Sequence, residues 1–334
     1  MAEAQPPQRR GRLLKVAGIV TATVIGVAAL ALIGVNAYVR VAYAPFYEAA
    51  TDEFPLPGLD AGFVPQDLDY LDEADAWLFS GYQAKDGPSP LYRRDADGTV
   101  ARLTVALPDG SSYQGHGSAV TSTDDYVLLA QEGGYLVLDA REVAAAPDGA
   151  ALQPVGSVEM DFSPAFMNVE DGTLYAGNFY FPGDYETPAH HRIVTPDGTE
   201  NPAVIYAYPA SDAGRFGFAE RAGRVYSIPA MVQGVAVTAD GQMVLSCSYG
   251  LRSSHLLAFD LGRTTVDGAF VADGATVPLY ALDSRSLAAD LKAPPMTEGI
   301  ESHDGLVYVS EESACSKYLF GRLYGAGVVY ALAL

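Results

Sequence analysis

A short pattern recurs five times between residues 65 and 332, and few folds are compatible with it. Its clearest copy is Pro295-Met-Thr-Glu298-Gly-Ile-Glu-Ser-His-Asp304-Gly-Leu-Val-Tyr-Val-Ser-Glu311. It reads as a polar start, a short strand, an Asp-Gly turn and a second apolar strand ending in acidic residues. Glycine supplies the positive φ that a tight hairpin needs, so Asp-Gly between two apolar runs marks a hairpin. Weaker copies begin at Pro65-Gln66, Gly115-His116, Pro164-Ala165 and Val232-Gln233, with Asp-Gly again at 171–172 and 240–241. Third runs follow at 89–93, 134–139, 203–208, 255–260 and 327–332, and fourth runs at 100–105, 153–158, 224–228 and 277–282. Four strands repeated at this spacing specify a β-propeller.

The expected fold is therefore all-β, a propeller of five four-stranded blades over residues 53–334. The long third unit leaves six blades as the alternative. The last copy stops after its third run, and Glu53-Phe-Pro-Leu-Pro-Gly58 precedes the first copy. The N-terminal segment is expected to supply the missing outer strand, which closes the ring without an unpaired edge and tolerates proline. Residues 181–201 stand outside the repeat as a polar insertion, and residues 283–294 as a short helix or long loop.

Ahead of the repeat, Arg9, Arg10, Arg12 and Lys15 precede residues 16–39, which carry no charge. At about 1.5 Å per residue that run spans a hydrocarbon core of roughly 30 Å. The basic flank predicts a cytoplasmic tail at 1–15, a signal-anchor helix at 16–39 and a stalk at 40–52, with the propeller outside a cell membrane crossed once. A cleaved signal at Ala42-Tyr43-Ala44 is the rival reading, and Pro45 opposes it.

With 41 acidic against 20 basic residues, the net charge is −21, which repels phosphate backbones and excludes nucleic acid as a partner. The two cysteines, Cys247 and Cys315, form no metal knuckle. Both follow second strands in neighbouring blades, and either one disulfide or two buried thiols fits an exported domain.

A propeller gathers residues from two sets of loops on its top face. Starts of inner strands would bring Gln66, His116, Gln233 and Glu298 to the channel mouth. Loops after second strands would bring Tyr82, Gln131, Asn178, Ser248, Glu311 and Glu312. Polar groups converging on one mouth are the default ligand site, although water-bonded mouth residues are the plainer reading. His116 and Glu311 are the candidates for proton transfer, His116 requiring a carboxylate to orient it. Glu298, Glu311, Glu312 and Asn178 offer oxygen ligands to Ca²⁺. Asp67, Asp69, Glu298 and Glu301 are the carboxylates available for glycosidase-type pairs. Asp184, Glu186, His190 and His191 in the insertion read as a solvated loop beside the mouth. No Gly-x-Ser-x-Gly elbow, phosphate-binding loop or His-Glu-x-x-His helix is present.

Gln233-Gly-Val-Ala-Val-Thr-Ala-Asp-Gly-Gln-Met-Val-Leu-Ser and His255-Leu-Leu-Ala-Phe-Asp resemble blades of the gluconolactonase-like and calcium-dependent phosphotriesterase-like propellers, membrane-anchored bacterial members above all. Glu298-Gly299-Ile300 is similar to the Glu-Gly-Pro of that superfamily, with Ile300 in place of the proline. The resemblance implies Glu298 as a metal ligand, with Asn178 as a second, and a lactonase or esterase activity. Two functions follow as expectations. The first is a membrane-anchored extracytoplasmic binding or scaffold module that takes a protein, glycan or small-molecule ligand on its top face. The alternative is a Ca²⁺-dependent lactonase- or esterase-like hydrolase with its metal at the channel mouth.

Overall fold

The computed structural model describes residues 8–334, with side chains from Leu14 onward, so part of the basic tail expected over 1–15 lies outside the described residues. Helix α1 (Gln8–Ala42) and the short α2 (Ala44–Ala49) lead into β1 (Ala50–Pro55). Blade one is β2 (Phe63–Leu71), β3 (Ala76–Gln83), β4 (Pro90–Asp95) and β5 (Val100–Val105). Blade two is β6 (Val120–Ser122), β7 (Tyr126–Gln131), β8 (Gly134–Asp139) and, after α3 (Ala140–Ala145) and β9 (Ala151–Leu152), β10 (Gly156–Glu159). Strand β9 lies parallel to β5 on the edge of blade one. Blade three is β11 (Phe166–Glu170), β12 (Thr173–Gly177) and, beyond an insertion carrying β13 (Ile193–Val194) and β14 (Glu200–Asn201), β15 (Ala203–Arg215) and β16 (Arg224–Ile228). Blade four is β17 (Val232–Val237), β18 (Gln242–Cys247), β19 (Ser254–Asp260) and, beyond the hairpin β20 (Val266–Ala272) and β21 (Ala275–Ala281), β22 (Leu287–Ala293). Blade five is β23 (Thr297–His303), β24 (Leu306–Glu311), α4 (Leu319–Tyr324) and β25 (Val328–Leu332), with β1 as its outer strand.

The ring therefore has five blades and closes through the N-terminal segment, Ala50 opposite Leu332 and Pro55 opposite Val328. Phe54 locks this strand by packing on Trp77 and Phe79 of blade one, with Arg94 over its face at 4.2 Å. The extra length of the third unit is the insertion and the long β15 hairpin, not a sixth blade.

Three expectations need correcting. The run at 277–282 is β21, which leaves blade four and adds parallel to β16 of blade three. The fourth strand of blade four is β22, in the segment read as a helix or loop. Its residues alternate, Leu287, Ala289, Leu291 and Ala293 inward against Ala288, Asp290 and Lys292 outward, the signature of an outermost strand with one wet face. The stalk expected at 40–52 is instead helical through Ala49 and docked. Val39, Tyr43 and Phe46 are buried against blades four and five, Phe46 fully, and burial of such a side chain contributes about 2 kcal/mol.

Inside the channel the blades are latched side chain to backbone. Val120 of blade two donates its N–H to Asp67 of blade one at 3.1 Å. Val169 of blade three donates to Thr121 of blade two at 2.9 Å, and Val237 of blade four donates to Asn168 of blade three at 3.1 Å. Ser246 of blade four bonds the Thr297 carbonyl of blade five. The inner strands come so close that a Cβ on Gly299 would lie 2.6 Å from the Asp67 Cα, and one on Gly234 would lie 2.2 Å from the Glu298 carbonyl oxygen. Only glycine fits either place.

Asp67→Ala strands the buried Val120 N–H and should destabilise the ring by about 1–3 kcal/mol, read by urea unfolding. Asp67→Asn keeps an acceptor oxygen and should lose clearly less; equal losses would mean that the latch contributes nothing.

Candidate functional site

The channel opens, on the face where the inner strands begin, into a cavity of about 860 Å³. Three of its residues share one backbone device. The pairing of β2 with β3 slips at Gln66, that of β17 with β18 at Gln233, and that of β23 with β24 at Glu298 and Gly299. Each slip is a β-bulge, in which the extra residue leaves the ladder and its side chain is re-aimed. Bulges at the same level of blades one, four and five turn Gln66, Gln233 and Glu298 into the mouth, where all three line the cavity.

Glu298 is the buried acid of this set. Its Oε1 accepts from Gln233 Nε2 at 3.3 Å and from Ser248 Oγ at 3.4 Å. Burial raises its pKa well above the usual carboxylate range, and the neighbouring Glu312 raises it further. Glu312 accepts from the Tyr82 and Tyr318 hydroxyls, each at 3.3 Å, and burial raises its pKa against the pull of Lys317. The Lys317 ammonium donates to the Tyr82 hydroxyl at 2.6 Å and lies over the Tyr82 and Tyr318 rings. His116 faces the cavity beside the Tyr82 ring, centroids 4.6 Å apart, and its enclosure, then Lys317, hold its pKa low.

Several expected members are placed differently. Glu311 is not at the mouth. It ends β24 in extended conformation, while Glu312 opens the 3-10 turn 312–314, and the two side chains reach different places. Glu311 is fully buried, accepting from the Tyr324 hydroxyl at 3.0 Å, with its second oxygen unpartnered. Asn178 lines the cavity, but its side chain is spent: Oδ1 accepts from the Val204 N–H at 3.2 Å and Nδ2 pairs with His191 Nδ1 at 2.9 Å. No carboxylate is bonded to His116 among the described residues, so nothing orients it as a base. Asp67, Asp69 and Glu301 sit deeper in the channel as structural groups, Glu301 bonded by Asn168 at 2.9 Å and Asp69 by Ser122 at 2.6 Å. Gln131 ends β7 and is not among the cavity residues.

The insertion is less solvated than its sequence suggests. His191 is buried, its Nε2 against the Tyr206 hydroxyl at 3.1 Å, and burial, then His190, lower its pKa to about 4. It pins the insertion to blade three. The insertion also brings Phe179, Phe181 and Tyr185, which the sequence reading passed over, against Tyr249 of blade four: Phe181 stacks on Tyr249 at 3.9 Å, and Phe179 and Tyr185 flank them. The run Phe179-Tyr-Phe181 followed by Tyr185, at the edge of a polar segment, was the available signal.

The donor set does not fit Ca²⁺. The Asn178 oxygen is already engaged by the Val204 N–H, and among the described residues no three His, Cys, Asp or Glu side chains come together to hold a metal. The cysteines are free and buried. Cys247 packs between blades three and four, where burial pushes its thiol up to about 12. Cys315 ends the turn after Glu312, on the side of blade five that meets blade one, so the two thiols face different seams.

No protein-family model matches the chain, and no curated protein does. Among solved structures it is similar to Myxococcus xanthus glutaminyl cyclase, at 10% identity and a TM-score of 0.42 over 85% of this chain and 95% of that one. It is similar to a putative oxidoreductase (glucose dehydrogenase) of Thermus thermophilus at 11%, with a TM-score of 0.42 over 85% and 99%. It is also similar to BamB of Moraxella catarrhalis at 10%, with a TM-score of 0.32 over 80% and 84%. The propeller assignment rests on the strand order above.

The buried acids set a pH dependence. Burial lifts Glu311 to about 8 and Asp69 to about 7. Carboxyls raised on folding bind more protons in the native state than in the unfolded chain. Stability is therefore full below the unfolded carboxylate range, near pH 4, and falls as pH rises through about 7 to 8. The melting temperature should drop between about pH 5.5 and 8.5, and Glu311→Gln should flatten part of that drop. A melting temperature that rises over this interval would contradict the assignment.

Proposed function

We propose that the chain is a membrane-anchored binding module whose ligand sits in the channel-mouth cavity. The observation that carries this reading is the set of three bulges aiming Gln66, Gln233 and Glu298 into one cavity. A bulge interrupts pairing, and three at one level, each exposing a polar side chain to the same space, are an arrangement that ring closure alone does not require.

The lining narrows the ligand's chemistry. Glu298 and Glu312 form an acidic floor, Asp161, Glu186 and Asp273 add carboxylates at the walls, and Lys317 is the single lysine or arginine of the lining. Tyr82, Tyr185, Tyr249 and Tyr318 offer flat apolar faces with hydroxyl rims. Such a site suits a neutral or cationic ligand with hydroxyl or amine donors, an amino sugar or glycan segment being the simplest match, and repels anions. Binding is favoured over hydrolysis because His116 lacks an orienting carboxylate and the donors do not fit Ca²⁺.

The anchor is the other half of the proposal. Leu14–Ala42 is one helix, long and apolar enough to cross a membrane, and its side chains are exposed through residue 34. The basic residues before it support a cytoplasmic N-terminus and an extracytoplasmic propeller.

Two measurements test this. Calorimetric titration with glucosamine, glucose and glucuronate should show saturable binding of the first two and none of the third. Gln66→Ala with Glu298→Gln should weaken that binding at least about tenfold, the loss of one to two hydrogen bonds, without unfolding the ring. Unchanged affinity would move the site off this face. A reporter fused after Leu334 should be active only outside the cytoplasm, and activity on the cytoplasmic side would reverse the topology.

A further inference from the structure

Helix α1 and the loop that carries α4 meet at one point. Asn36 Nδ2 donates to the Leu32 carbonyl at 2.8 Å within α1 and to the Leu323 carbonyl of α4 at 2.7 Å. N-terminal to Asn36 the helix is apolar and touches almost nothing: Ile25, Val27, Leu30 and Ile33 are each more than 60% exposed. C-terminal to it the helix enters the groove between blades four and five. The twenty residues 16–35 make roughly 30 Å of helix, the thickness of a hydrocarbon core. If they span, the boundary between hydrocarbon and headgroups falls at Asn36, and α4 is held at that level by its contact with α1.

The composition of α4 suits that place. Its sequence, Leu-Phe-Gly-Arg-Leu-Tyr, contains no acidic residue in a chain of net charge −21. Leu319 is 70% exposed, and no described residue covers it. Arg322 adds a cation, and Lys317 precedes the helix. On α1, Tyr38 is exposed, and Arg40 lies over the Tyr47 ring at 4.0 Å. Exposed leucine with tyrosine and arginine is the usual composition of a membrane-water boundary. The same loop supplies Glu312, Lys317 and Tyr318 to the cavity.

We propose that α4 seats Leu319 in the outer leaflet of the membrane that α1 crosses, which holds the blade-five rim of the candidate site at the lipid surface. The occupant of the exposed apolar patch is lipid. A ligand reaching the cavity then arrives along the membrane surface, as a lipid-linked or membrane-bound polymer would. This rests on the anchor reading, and the test separates the two.

The full chain is reconstituted in phosphatidylcholine–phosphatidylglycerol nanodiscs after labelling single cysteines at Val24→Cys, Leu319→Cys and Asp304→Cys with an environment-sensitive fluorophore; Cys247 and Cys315 are buried and remain unlabelled. Asp304 lies in the β23–β24 turn, at the opposite end of blade five from α4. Nitroxides deep in the acyl chains should quench the label at Val24, shallow nitroxides the label at Leu319, and neither the label at Asp304. A quenched Val24 label with Leu319 behaving like Asp304 overturns the inference and leaves the anchor standing. An unquenched Val24 label overturns the anchor and the inference with it. A Leu319 label shifted to the blue but not quenched by lipid nitroxides means that protein covers the patch, and that also overturns it.

Discussion

Everything in this molecule depends on how tightly five inner strands can be drawn around one channel. Asp67, Thr121 and Asn168 each reach across a blade boundary to take a backbone N–H of the next blade. These bonds replace the ladder hydrogen bonds that no strand can make to its neighbour across the channel. At the two seams of blade five, where none of these three bonds runs, Gly234 and Gly299 let the inner strands approach directly. The carboxylates of the channel are thus structural first. Burial among the inner strands raises the pKa values of Asp67, Asp69 and Glu301 above the usual carboxylate range.

The bulges at the mouth are a second device, and closing the ring does not require them: β6 and β11 pass their neighbours with unbroken registers. Gln66, Gln233 and Glu298 occupy those extra positions. The sequence alone named all three, because a polar residue at the head of an apolar strand is visible without coordinates. The bulges were not visible, since register is a property of two strands and only one is read at a time.

The repeat, the blade number and ring closure were readable because Asp-Gly turns and alternating strands are local signals. Where the reading failed, the deciding interaction was long-range. The run at 277–282 has good strand character, yet it pairs with blade three because β16 offers a free edge. Leu287-Ala-Ala-Asp-Leu-Lys-Ala has weak strand propensity and is a strand because β19 needs a partner. Glu311 and Glu312 were indistinguishable as adjacent acids, and only the change from strand to 3-10 turn between them sends Glu312 to the mouth and leaves Glu311 buried against Tyr324. His191 looked like half of a solvated pair until Tyr206 and Asn178 enclosed it.

The outer strand of blade five has one more implication. Residues 50–55 both close the ring and continue directly from the docked helix, so the N-terminal helix and the clasp are one piece of chain. A cut before Ala50 would release a propeller that stays shut. A cut beyond Pro55 would leave the clasp with the N-terminal helix and free a ring with an open seam, a row of unpaired β25 groups and an uncovered Trp77. The six residues of β1 thus divide two outcomes for a cut chain, a closed and stable ring on one side and a sticky, unravelling one on the other.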